Sequence, residues 1–226
     1  MINTEQVLCT ELMYIHTNEY PNAEGVKETL TNIIRNQGDR QNHETNVKAN
    51  MTTWDMYKNE SFKLIIDFAI DTLKQEVQPY PTGETYCTDA WGIIYKTGDK
   101  TNPHAHWPSL WSFTYYVDAC SECSPLMLLG AKGNIKPNTG LIFIFPATVS
   151  HYVPEQKCKH DRIVIAGNIS IGLEEAKGGN FTLRRKAYEG AGWGTPFDLI
   201  EDIMDRGMTA VQTDRKVIKA AYPNQG

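Results

Sequence analysis

The chain has 226 residues, 41% of them apolar, and a net charge of −5 at neutral pH. That length suits one large domain or two small ones with a real hydrophobic core. It holds no run of about 18 apolar residues, so no transmembrane helix is expected, and the acidic balance argues against bulk nucleic acid, which needs a basic field.

The local run Arg184-Arg185-Lys186 reads as a solvated cluster. The opening Met1-Ile2-Asn3-Thr4-Glu5 lacks a basic region followed by an apolar stretch, so no signal peptide is expected. Five cysteines are an odd count in a chain too large to need disulfides, which points to a reducing cytoplasm.

In chain order, residues 7–14 carry β-formers and read as an opening strand. Over 23–35, Val26, Leu30, Ile33 and Ile34 fall at helical spacing. Residues 36–50 read as a long polar loop, with a short strand over 47–52. Asn59 or Ser61 is placed to cap a helix over 62–76, whose stripe of Phe62, Ile65, Ile66, Ala69, Ile70 and Leu73 reads as core. After Pro79-Tyr80-Pro81-Thr82-Gly83 the period changes. Short β-branched and aromatic runs follow over 90–95, 111–117, 126–129, 141–145, 151–153 and 163–171. Such spacing suggests a β-sandwich or barrel. The tail predicts a helix over 195–206, with Thr195 as cap and Pro196 at its first position, and a weaker one over 214–221. No repeat or low-complexity linker interrupts the chain. The expectation is one mainly β domain over 1–226: a β core at about 85–172, helical support at 22–77 and a helical tail at 195–222.

The chemistry concentrates at His104-Ala105-His106. On a regular strand residues i and i+2 share a face, so both imidazoles could reach one ion. A third ligand must come from another strand, and His151, after the apolar run 141–146, suits that role. Imidazole favours Zn, Fe, Cu or Ni over Ca or Mg, and three ligands leave positions open for reaction. An H-x-H pair alone is more often a pair of hydrogen-bonded histidines. His16, His43 and His160 lack such context and read as ordinary. Arg162 opens the apolar strand Arg162-Ile163-Val164-Ile165-Ala166-Gly167-Asn168. A guanidinium at the mouth of a β core is costly without an anion, and its planar fork suits a carboxylate. The bland alternative is an ion pair with Asp or Glu.

These segments together resemble the Fe(II)- and 2-oxoglutarate-dependent dioxygenases, most closely the prolyl-hydroxylase-like branch and the oxygenases encoded by tailed phages of marine bacteria. The resemblance covers residues 91–169, with Asn46-Val47-Lys48-Ala49-Asn50-Met51-Thr52 a less specific addition. Tyr95-Lys96-Thr97-Gly98-Asp99 before His104-Ala105-His106 is similar to the family's Y-x-x-G run ahead of the first ligands. Ser112-Phe113-Thr114-Tyr115-Tyr116-Val117-Asp118 is similar to its central strand, and Gly140-Leu141-Ile142-Phe143-Ile144-Phe145-Pro146 with His151 to its distal-ligand strand.

The resemblance implies a double-stranded β-helix, the jelly-roll, cupin-like barrel. It implies Fe(II) on His104, His106 and His151, and 2-oxoglutarate held by Arg162, Tyr116, Tyr95 and Asn168. The implied reaction uses O2 and hydroxylates a small-molecule or peptidyl substrate while 2-oxoglutarate becomes succinate and CO2. The implied location is the cytoplasm, the host's if the chain is phage-encoded. One departure stands out. The family usually places Asp or Glu where this chain has His106, so either His106 is the ligand or Asp99 or Asp118 takes its place.

Two other classes stay open: a cupin-like metal protein, either a three-histidine dioxygenase or a zinc enzyme, that does not use 2-oxoglutarate, and a non-catalytic β-sandwich binding or phage structural protein. Cys120-Ser121-Glu122-Cys123 could join Cys158 and His160 as a zinc site, but a C-x-H second pair is poor, and the thiols read as unlinked. Trp107 and Trp111 read as core more than as a substrate mouth. The helical parts read as barrel supports, a lid or a homodimer surface.

Overall fold

A computed structural model describes residues 14–37, 45–77, 80, 83–131 and 136–172. The chain divides into two units, residues 1–81 with 85–172 and residues 82–84 with 173–226. Apart from Gly83 and Glu84, everything described below concerns the first. The expected strand over 7–14 and both tail helices fall outside the described residues, save Tyr14.

The elements run β1 (His16–Glu19), α1 (Ala23–Gln37), β2 (Val47–Lys48), β3 (Asn50–Met51), a 3-10 turn (Met56–Lys58), α2 (Glu60–Glu76), β4 (Glu84–Tyr95), β5 (Lys100–His104), β6 (Trp111–Asp118), β7 (Met127–Leu128), β8 (Leu141–Pro146), β9 (His151–Val153) and β10 (Arg162–Gly172). Asn59 caps α2: its side-chain oxygen accepts from the Ser61 and Phe62 backbone N–H groups at 3.0 and 3.3 Å. That satisfies two donors the first turn would otherwise leave unpaired.

The strands form a six-stranded sheet, β1-β8-β6-β10-β4-β3, and a four-stranded sheet, β2-β5-β9-β7. The period-2 alternation of the large sheet sorts its side chains into two cores. Ile142 and Ile144 of β8, Phe113 and Tyr115 of β6, and Ile163 and Ile165 of β10 face one way and pack with the apolar faces of α1 and α2. Phe143 and Phe145, Tyr116, and Val164 face the other way and meet Val47, Leu128 and Val153 of the small sheet. The expected stripe on α2 is buried in the first core. Gly92 lets α1 close down, since a Cβ there would lie 2.5 Å from the Ile34 side chain.

Two expectations are corrected here. The strand read over 47–52 is two short strands, because the chain changes sheets at the fully buried Ala49. β2 pairs with β5 and β3 with β4. The strand that carries His104 is not regular through His106. β5 ends at His104, and His106 lies beyond it, before a turn that contains the cis Trp107–Pro108 bond. Among the described residues no helix is long and apolar enough to cross a membrane.

Candidate metal centre and its pocket

Strand pairing does the first part of the assembly. His104 on β5 and His151 on β9 are Cα partners in an antiparallel ladder, and their rings lie 4.4 Å apart. His106 arrives by another route. Its backbone N–H donates to the Ala147 carbonyl at 2.8 Å, which ties the loop after β5 to the end of β8. Its ring then sits 4.8 Å from His104 and 5.1 Å from His151. One nitrogen from each of the three imidazoles falls within 4.8 Å of the others.

The hydrogen bonds decide which nitrogens face inward. His104 Nδ1 lies 2.8 Å from the Asn102 carbonyl and His151 Nδ1 lies 3.0 Å from the Val149 carbonyl. A carbonyl only accepts, so each Nδ1 carries the proton and donates. Nε2 of each is left with a free lone pair, the arrangement that orients histidine for a metal. Burial, then the charges of the neighbouring imidazoles, pushes His106 down to about 3. Burial likewise lowers His151 to about 4, and lowers His104. All three are therefore neutral near pH 7, the state that ligates.

Neither carboxylate considered as a replacement for His106 joins this group. Asp99 accepts from the Lys96 backbone N–H at 2.8 Å within its own turn. Asp118 pairs with Lys27 at 2.8 Å and with His160 at 3.2 Å. Among the described residues the donor set is three imidazoles.

The same pocket is lined by Arg162, Tyr95, Thr101 and Trp91. Arg162 is 1% exposed, yet its Nε and Nη1 have no hydrogen-bond partner. The guanidinium lies 4.6 Å from the Tyr95 ring centroid and 5.1 Å from that of Tyr116. The two rings contribute cation–π attraction but leave Nε and Nη1 unpaired. The expected bland explanation, an ion pair with Asp or Glu, is not found for Arg162 among the described residues. Tyr95 is itself fixed, its hydroxyl 2.6 Å from Thr101 Oγ1. The donor set and the orphaned guanidinium fit a divalent ion with a carboxylate ligand beside it.

Asn168 is not brought to the pocket. Its amide nitrogen donates to Asp89 at 2.5 Å and its oxygen accepts from Ser112 at 2.7 Å. It supports Ser112, which does line the pocket. Trp111 stacks on Tyr80 with ring centroids 6.1 Å apart, as core reasoning expects, whereas Trp107 is 70% exposed. Trp91 was the residue missed. Its buried Nε1 has no partner, and its ring lies 5.6 Å from His106. Strand parity was the available signal, since Trp91, Ile93 and Tyr95 share one face of β4 and all line the pocket.

No family model matches the sequence, and no curated protein does. Solved structures do. A viral collagen prolyl hydroxylase from Paramecium Bursaria Chlorella virus-1, in complex with 2OG, is similar at a TM-score of 0.56 and 16% identity, covering 69% of this chain and 95% of that one. A Pseudomonas putida prolyl-4-hydroxylase is similar at a TM-score of 0.52 and 12% identity, covering 70% and 92%. HygX from Streptomyces hygroscopicus, with nickel and 2-oxoglutarate bound, gives a TM-score of 0.51 and 9% identity over 71% and 84%. The fold is the double-stranded β-helix. In this β-helix the histidine cluster, Tyr95 and Arg162 line one cleft that also takes in Val47 and Val153 of the small sheet and Val164 of the large one.

Proposed function

We propose that this chain is an Fe(II)- and 2-oxoglutarate-dependent oxygenase that hydroxylates a small molecule or a peptidyl side chain. The observation that carries the reading is Arg162, buried with two unpaired donor nitrogens in the cleft that holds three inward-facing histidines. The likeness of the fold to enzymes that bind 2-oxoglutarate supports it.

In this reading His104, His106 and His151 hold the iron through neutral imidazole nitrogens. Bound Fe(II) supplies the activation of O2 that couples decarboxylation of 2-oxoglutarate to hydroxylation of the substrate. Arg162 pairs its free N–H groups with the far carboxylate of 2-oxoglutarate. Tyr116 and Tyr95 flank that pair, and the Tyr95–Thr101 hydrogen bond fixes one wall. Burial among Phe145, Val153 and Val164 lowers the local dielectric and strengthens the carboxylate–guanidinium pair. Three neutral ligands leave the full charge of the ion in place, where a carboxylate ligand would offset part of it. The expected consequences are a stronger pull on anionic ligands and a shifted redox potential.

The all-imidazole donor set also supports a second reading, a three-histidine metal enzyme without 2-oxoglutarate. That enzyme would have no use for Arg162. Turnover distinguishes the two: the Fe(II)-loaded chain under air should release CO2 from 2-oxoglutarate carboxyl-labelled at C1. No release, with or without candidate substrates, contradicts the proposal.

A further inference from the structure

A second cluster of ligand-type side chains lies outside the histidine cleft. Cys120 and Cys123 follow the end of β6, and Cys158 lies in the segment between β9 and β10. Across 38 residues of sequence, Cys120 Sγ comes within 3.5 Å of Cys158 Sγ, and it lies 3.6 Å from Cys123 Sγ. All three sulfurs fall within 4.8 Å of one another, and none is in a disulfide. A tetrahedral zinc ion with Zn–S bonds of roughly 2.3 Å holds its sulfurs roughly 3.8 Å apart. The observed spacing is close to that of a ligand shell.

The backbone is arranged around these sulfurs. Cys123 N–H donates to the Cys120 carbonyl at 3.0 Å, closing a tight C-x-x-C turn. His160 N–H donates to Cys158 Sγ at 3.3 Å. N–H donors aimed at sulfur stabilise thiolate, the form that binds metal. Lys157 and Lys159 flank Cys158 and add positive charge beside it in sequence.

Packed thiols in an ordinary core need neither the donor nor convergence from two distant segments. Here the convergence is enforced. Gln156 is fully buried, accepts from the Ser124 backbone N–H at 2.7 Å and donates to the His160 carbonyl at 3.0 Å. That bridge joins the C-x-x-C turn to the segment that carries Cys158.

We propose that Cys120, Cys123 and Cys158 form a second metal site that holds a zinc ion through three thiolates, with solvent in the fourth position. The His160 ring is engaged by Asp118 and not by the sulfurs, which leaves that fourth position open. Binding releases the thiol protons to solvent and involves no redox step. The site ties the end of β6, which carries Tyr116, to the segment that runs directly into Arg162. The ion is structural: it fixes the strand end and the segment that carry Tyr116 and Arg162, whose ring centroid and guanidinium lie 5.1 Å apart. This inference stands independently of the oxygenase reading.

The test uses the full chain with His104→Ala and His151→Ala, which removes the histidine site and leaves the sulfurs. Cobalt(II) serves as the spectroscopic probe and zinc as the competitor. The expected result is an intense near-ultraviolet sulfur-to-cobalt charge-transfer band at one equivalent of cobalt, bleached by one equivalent of zinc. Adding Cys123→Ser, or the half-buried Cys158→Ser if the first variant does not fold, should weaken binding by more than about a hundredfold, beyond what loss of an outer-shell partner costs. No sulfur band in the His104→Ala, His151→Ala protein overturns the site, whatever the cysteine variants do. So does a band that survives both serine substitutions, or a mass two hydrogens low that marks a disulfide among the three.

Discussion

The guanidinium of Arg162 lies 4.6 Å from the Tyr95 ring centroid, and neither its Nε nor its Nη1 is hydrogen-bonded. A buried charge in that condition is a standing cost to the folded chain, offset when an anion arrives. Arg162→Met keeps the length and removes the charge. The ligand-free variant should melt at the same temperature as the parent or higher. Its 2-oxoglutarate binding should weaken by about 2–5 kcal/mol, thirtyfold or more, as for loss of one partner of a buried charge pair. Calorimetric titration and thermal melting check both halves. A lower melting temperature with unchanged binding would assign Arg162 to the scaffold.

His106 is fixed by its backbone and not by a strand, so its side chain can be exchanged without moving the loop. Its N–H bond to the Ala147 carbonyl is indifferent to the side chain. His106→Asp restores a carboxylate and should retain one equivalent of Fe(II) with the charge lowered by one. His106→Leu should lose metal. Metal analysis after anaerobic loading separates the two, and equal loading of both variants would remove His106 from the ligand set.

Acid should unfold the metal-free protein through these same histidines. Burial holds His106 at about 3 and His151 at about 4, against 6.5 for an ordinary histidine. Between pH 6.5 and about 4 the unfolded chain therefore binds more protons than the folded one. Stability then rises with pH and is lost as pH falls through that window. Near pH 5 the two residues together should contribute a proton uptake on unfolding of about two. Urea midpoints measured from pH 7 to 4.5 give the slope, and His106→Gln should make it shallower. A flat profile would mean that these imidazoles take up protons as readily in the folded protein as in the unfolded chain.

Gly167 lines the cleft where β10 passes β6. A Cβ there would lie 2.7 Å from a Phe113 ring carbon and 2.8 Å from the Asp89 carbonyl oxygen. The ring can shift a little, but the carbonyl belongs to a strand of the large sheet and cannot. Gly167→Ala should cost about 1–3 kcal/mol by overpacking, a fall of roughly 2–4 °C in melting temperature per kcal/mol for a domain of this size. An unchanged melting temperature would show that the sheet opens there more easily than its register suggests.

Much of this barrel is legible in the sequence because β6, β8 and β10 are buried on both faces and so read as short runs of β-branched and aromatic residues between turn residues. His104 and His151 were legible as candidates from the H-x-H pair and the apolar run before His151, and the structure brings their rings 4.4 Å apart. Reading His106 onto the same strand failed at a turn, where strand parity has no meaning. The change of sheet at Ala49 was equally hidden, since two residues on either side are too few to show a period. Asn168 was misplaced because its partner Asp89 lies 79 residues away on a neighbouring strand. The approach of Cys158 to the C-x-x-C turn depends on Gln156, a bridge no spacing rule encodes.

The most direct measurement adds 2-oxoglutarate to the anaerobic Fe(II) protein and records the visible spectrum. If the cleft binds metal and cosubstrate together, a weak metal-to-ligand charge-transfer band should appear on addition and be lost in His151→Ala and in Arg162→Met at the same 2-oxoglutarate concentration. No band in the parent protein, or a band indifferent to both substitutions, would contradict the assignment of this cleft.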